Sequence, residues 1–194
     1  TNPSSARLVT NRQPLGGQAG TWSLNVGHIG MTFTEVIIGE PGPSATYASI
    51  LNTWAHVAAV RNSGVTTLYL NGAQVGQASQ TTNFNNVSYP LVICNSPSEG
   101  FNAGYVSNMR IVKGTAVYTT AFNPPTSSLN PIANTSLLTC QSNRLIDNSI
   151  NNFAITKNGD VSVQRFSPFP LATIYSSNTI GGSGYFDGTG DYLT

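Results

Sequence analysis

Three features of the 194-residue sequence predict an all-β protein folded as an antiparallel β-sandwich. Apolar residues recur with a period of two, turn pairs such as Asn71-Gly72 punctuate short runs, and no window repeats apolar residues at helical spacing among good helix formers. A period of two sends alternate side chains to opposite faces of a strand, so each run offers one face to a shared interior.

Residues 20–26 alternate Trp22, Leu24 and Val26 with polar neighbours, and residues 31–38 alternate Met31 and Phe33 before shifting at Val36, so both read as strands with one wet face. Residues 54–61, from Trp54 through His56 to Arg61, read as a mostly buried strand closed by the Asn62-Ser63-Gly64 turn. The clearest hairpin spans residues 65–78, because Asn71-Gly72 supplies the positive φ angles of a type I′ turn. Residues 54–61 and this hairpin together predict a three-stranded meander.

Residues 89–94 predict a further strand, followed by a polar loop and then a single strand over 104–112. In that strand Tyr105, Ser107, Met109 and Ile111 share one face, and Val106, Asn108, Arg110 and Val112 share the other. Residues 136–140 are strand-like, residues 153–166 predict a second hairpin around Lys157-Asn158-Gly159-Asp160, and the Gly- and aromatic-rich tail covers 184–193.

The length allows one sandwich of ordinary size with a sizeable core. Pro124, Pro125 and Pro131 mark an extended connection, which divides the chain into a main part over 1–123, a connector over 124–135 and additional strands over 136–194. The chain has no initiating Met and no charged-then-apolar leader, so it reads as part of something longer.

Only 8% of residues are charged, against about 25% in an average soluble protein, and the formal net charge is +1. Basic residues form no stripe that could track phosphates, so nucleic acid is not an expected partner. The longest apolar runs fall far short of the roughly 20 residues needed to cross a bilayer, so membrane insertion is not expected either. The polar surface is rich in hydroxyl and amide groups.

Cys94 and Cys140 have no metal-type spacing and allow either a single bridge or simple packing. The acids are Glu35, Glu40, Glu99, Asp147, Asp160, Asp187 and Asp191, and no two lie two residues apart, so no strand presents a pair of carboxylates on one face. His28 and His56 belong to no nucleophile constellation, and His56, in a strand beside Trp54, reads as a hydrogen-bonded structural histidine. Sugar sites combine an aromatic face with amide or carboxylate groups on loops, which makes Asn95, Glu99, Phe101 and Asn102 the candidate ligand-binding residues.

Three segments carry a resemblance to a known family. They are Trp54-x-His56-Val57-Ala58 with the hairpin through Asn71-Gly72, the strand from Gly104 to Ile111, and the tail Tyr185-Phe-Asp-Gly-Thr-Gly-Asp-Tyr-Leu193. The chain resembles the laminin G-like modules of the concanavalin A-like lectin and glucanase superfamily, which implies a jelly-roll sandwich. The wording around Arg110 to Tyr118 and Ser136 to Gln141 resembles that of phage virion structural proteins. The resemblance implies a non-catalytic structural or adhesive module of a tail fibre, spike or capsid decoration, on a virion surface or extracellular. Its expected partners are other virion or homo-oligomer subunits meeting at sheet edges.

The alternative is a lectin module that recognises a host surface glycan. Glucanases of this class need paired acids, which are lacking here, so no enzyme is expected. No cofactor is expected; calcium, used by several such modules, would fall to Asp187 and Asp191. The tail resembles the opening strand of such a module, so it either folds back as the missing first strand or pairs with another chain, whose sheet edges would then recruit it.

Overall fold

The structure, a computed structural model, describes residues 6–11, 19–35, 42–85, 88–94, 103–169 and 183–194. Among the described residues there are fifteen strands and no helix. They are β1 (Ala6–Thr10), β2 (Trp22–Val26), β3 (Gly30–Glu35), β4 (Ser44–Thr46), β5 (Val57–Asn62), β6 (Val65–Leu70), β7 (Ala73–Ser79) and β8 (Val92–Ile93). There follow β9 (Ala103–Val106), β10 (Met109–Val112), β11 (Thr135–Thr139), β12 (Lys157–Asn158), β13 (Ser162–Gln164), β14 (Ser183–Asp187) and β15 (Tyr192–Leu193).

Every pairing is antiparallel. One sheet has the order β12-β15-β8-β1-β2-β3-β4, and three smaller sheets have the orders β5-β6-β7, β13-β14-β9 and β10-β11. The buried cluster takes Val9, Leu24, Met31, Phe33, Ile93 and Leu193 from the large sheet and Leu68, Leu137 and Phe186 from the smaller ones. The large sheet therefore packs face to face on the others, which is a sandwich.

The meander forms as the sequence implies. Asn71 and Gly72 have φ angles of 49° and 81°, as a type I′ turn requires. Asn71 also fixes the entry to β5, because its side-chain oxygen accepts from the His56 N–H at 2.8 Å while its own N–H donates to the His56 carbonyl at 2.7 Å. That clamp leaves Trp54 and His56 just ahead of β5, outside the strand expected to contain them.

Other expectations are corrected. The strand expected over 104–112 is two strands, because Asn108 adopts φ 57° and sends β9 to β14 while β10 pairs with β11. The break is fixed by Asn108, whose N–H donates to the Cys140 carbonyl and whose side-chain oxygen accepts from Leu129 N–H. The hairpin expected over 153–166 does not form either: its turn is present, but β12 pairs with β15 and β13 with β14, so the two arms belong to different sheets. Buried Val161 marks the crossing between them.

The face of β2 expected to be wet is covered, with Ser23 and Asn25 both buried and the Ser23 hydroxyl bonded to Asn25 Oδ1 at 2.8 Å. Residues 36–38 lie outside the described residues. Both thiols are free and buried in the core.

The tail folds back on its own chain. β14 lies between β9 and β13, and β15 lies between β8 and β12. Alternation along β14 sends Phe186 inward, where it is 1% exposed, while Tyr185 faces outward beside Tyr105.

A buried carboxylate holds the turn that follows β11. Asp147 accepts from the N–H groups of Leu138 and Ser149 on one oxygen, and from Phe153 N–H and the Ser149 hydroxyl on the other. Burial pushes its pKa up, but these four donors outweigh that effect and hold the carboxyl below its ordinary value of 3.8. A depressed folded pKa contributes stability that is present above the unfolded value and lost as pH falls through the folded one.

Chemical denaturation at stepped pH is expected to show the unaltered protein losing stability below about pH 4, with Asp147→Asn less stable at neutral pH by about 1–3 kcal/mol and less sensitive to acid in that window. Equal acid sensitivity in the two proteins would contradict the role given to Asp147. Leu68→Ala, at a fully buried position, is expected to lower unfolding stability by about 2–5 kcal/mol in the same measurement.

Candidate functional site

The end of β13, the outer faces of β14 and β9, and the segment leading into β5 converge on a group of aromatic rings. Tyr105 on β9 and Tyr185 on β14 are register partners whose ring centroids lie 5.1 Å apart. Phe166, just beyond β13, meets Tyr105 edge-on at 4.8 Å and stacks on Trp54 at 5.1 Å with a 28° interplanar angle. Trp54 and Tyr105 close the group at 6.3 Å.

These rings are not a hidden core. Tyr105 is 42% exposed and Phe166 54% exposed, and Trp54 and Tyr185 are half-buried. Four aromatic side chains from four segments thus form a continuous, partly solvent-facing platform. Exposed aromatic side chains gathered in this way make the platform the candidate interaction site. Ring faces carry negative charge density and accept polarised C–H groups as well as apolar contact.

A second aromatic group next to it is packing. Tyr118 and Phe122 stack at 3.6 Å, and Phe122 also meets the buried Tyr69 and, edge-on, His56 at 5.4 Å. Burial, then the Arg110 charge, lower the His56 pKa, so the imidazole is neutral at physiological pH. The hydrogen-bonded histidine expected from the sequence is held by ring packing, since buried Nδ1 has no hydrogen-bond partner.

The acidic residues serve a different purpose. Asp160, Asp187 and Asp191 bring carboxylate oxygens within 4.8 Å of one another. Buried Asp191 accepts from the N–H of Asp160 on one oxygen and of Asp187 on the other, at 2.8 and 2.9 Å. It therefore joins the turn after β12 to the end of β14. Gly159, at φ 73°, is required there twice over, by its backbone angle and because a methyl group would collide with Asp191 Oδ1. Asp160 has its pKa raised, first by a hydrogen bond to Asp191 and then by the charges of Asp191 and Asp187.

Asp187 and Asp191 were the sequence candidates for calcium, and the structure adds Asp160, 31 positions from Asp191 along the chain. Carboxylates are a fitting donor chemistry for a hard cation. Two backbone N–H donors already aim at Asp191, however, so the arrangement is explained as a clasp between strand ends.

Asn95, Glu99, Phe101 and Asn102 lie outside the described residues; in sequence they precede β9, which carries Tyr105. The platform was not singled out in the sequence. Its one legible sign was the alternation that put Tyr105 on the opposite face from Val106, whereas Phe166 and Trp54 reach it only through the tertiary fold.

A family model described as the concanavalin A-like lectin/glucanases superfamily matches residues 2–118, more than half of the chain. No curated protein and no solved structure matches it. The match spans β1 to β10, and the strands after it complete the same sheets. The chain belongs to the concanavalin A-like lectin/glucanases superfamily.

Proposed function

We propose that the chain is a non-catalytic adhesive module, displayed on a virion surface or outside the cell, that attaches by holding a neutral glycan against the aromatic platform. The observation that carries this reading is the exposed group Trp54, Tyr105, Phe166 and Tyr185. A pyranose ring has one face of C–H groups, which lies on an aromatic plane, and a rim of hydroxyls that needs neutral donors and acceptors. The low charge of this chain and the neutral His56 suit an uncharged sugar better than an anionic one.

Catalysis has no part in the proposal. Asp147 and Asp191, the buried acids among the described residues, are already bonded to backbone N–H groups, and a glycosidase needs one carboxyl to protonate and another to attack or activate water. No cofactor is included either, and calcium is expected to leave the thermal midpoint unchanged. The virion setting rests on the wording of residues 110–118 and 136–141. Asn95, Glu99, Phe101 and Asn102, which precede β9 in sequence, belong to the same proposal as further ligand-binding residues.

A glycan array probed with the full chain, followed by calorimetric titration of its best hit, is expected to find a neutral oligosaccharide. Trp54→Ala and Phe166→Ala should each weaken its binding about tenfold, which corresponds to about 1.4 kcal/mol. Binding that survives both substitutions in folded protein, or no binding across the array, would contradict the proposal.

A further inference from the structure

We propose that the slot filled by residues 183–194 also accepts the same segment from a second copy of this chain, so that two copies exchange β14 and β15. This goes beyond the glycan reading and does not depend on it. The exchange would rebuild the Tyr105 and Tyr185 contact between two copies, so the platform would then be shared by them.

The segment is bound as a ligand strand is bound. β14 forms ladders with β9 and β13 and β15 with β8 and β12, and these main-chain bonds are the same whichever molecule supplies the strand. Phe186, Asp191 and Leu193 are each 1% exposed, so the slot buries the segment's key side chains completely.

The slot also selects this sequence. Gly184 seats against Cys140 and Leu145, where a methyl group would stand 3.6 Å from both side chains and 3.1 Å from Phe186, and a methyl on Gly188 would stand 3.0 Å from Ala103. Gly159 on the slot side leaves room for the Asp191 carboxylate. A side chain at 188 would be strained by the φ of 88° there and would crowd Ala103, and a segment without the acid at 191 would leave the Asp160 N–H without its acceptor, which makes a second copy the fitting occupant.

The segment carries its own shape as well. Asp187 Oδ1 accepts from Thr189 N–H at 2.6 Å and Asp191 Oδ2 from Asp187 N–H at 2.9 Å, so two hydrogen bonds within the segment itself shape the bend between β14 and β15. A net charge of +1 gives two copies little reason to repel. Within one chain the segment faces its slot at high effective concentration, so exchange is governed by protein concentration during folding.

Two single variants of the full chain test this, Asn158→Cys and Tyr192→Cys, at half-buried register partners on β12 and β15. Neighbouring antiparallel strands hold Cα atoms about 4.5–5.5 Å apart, within disulfide range. The variants are unfolded, mixed, refolded at rising concentration and treated with glutathione disulfide, which takes two electrons and two protons from the thiol pair and leaves as two glutathione thiols.

The expected result is a disulfide-linked heterodimer several-fold above the dimer formed by either variant alone, increasing with concentration. No excess over the single variants overturns the proposal. A chain carrying both cysteines shows where a failure lies: an internal bridge there, with no heterodimer, means that β15 sits beside β12 but does not exchange. As a readout free of substitutions, light scattering on the unaltered protein refolded at high concentration should find particles of twice its 20.4 kDa mass, and monomer alone would count against exchange.

Discussion

Residues 183–194 insert between strands drawn from distant parts of the chain, and the rest of the sandwich depends on that insertion. β14 joins β9 to β13 and β15 joins β8 to β12, so one short segment ties both layers together. Alternation then assigns its two faces different tasks. Phe186 and Leu193 enter the core, while Tyr185 completes the outer aromatic platform with Tyr105. The pleat that stabilises the fold is thus the same pleat that displays the candidate site.

The scarcity of charge shapes how polar groups are used. Asp147 and Asp191 act as buried acceptors for backbone N–H groups that strand ladders leave unpaired at a turn and at strand ends. Asn71 and Asn108 likewise accept from backbone N–H groups, those of His56 and Leu129, without charge. What remains at the surface is hydroxyl, amide and aromatic, and a neutral sugar matches such a surface better than phosphate or an anionic lipid headgroup does.

The fold class was legible because period two and the Asn71-Gly72 turn are local signals, and the meander from β5 to β7 follows them closely. The misreadings occurred where a tertiary partner overrode the local pattern. Residues 104–112 alternate well enough for one strand, yet Asn108 breaks them because Cys140 and Leu129 offer it better bonds there. The arms around Gly159 carry a good turn, but β14 and β15 compete for both of them and win.

β1 was missed because buried Arg7 and the bulge between Arg7 and Val9 obscure its alternation, and the three-residue β4 is too short to show any. The platform was even less visible. Its rings lie at positions 54, 105, 166 and 185, and only the pairing of β14 with β9 and β13 brings them together. The acid cluster was half legible, since Asp187 and Asp191 are neighbours in sequence and Asp160 is not.

Native-state hydrogen exchange on the full chain tests most directly whether residues 183–194 occupy the interior of both layers. Amides of Tyr185, Phe186 and Leu193 should exchange as slowly as those of Leu68 and Tyr69 in the central strand of the meander, because all five would open only with the whole sandwich. Exchange of the tail amides at the rate of an unstructured peptide, with Leu68 and Tyr69 still protected, would contradict it.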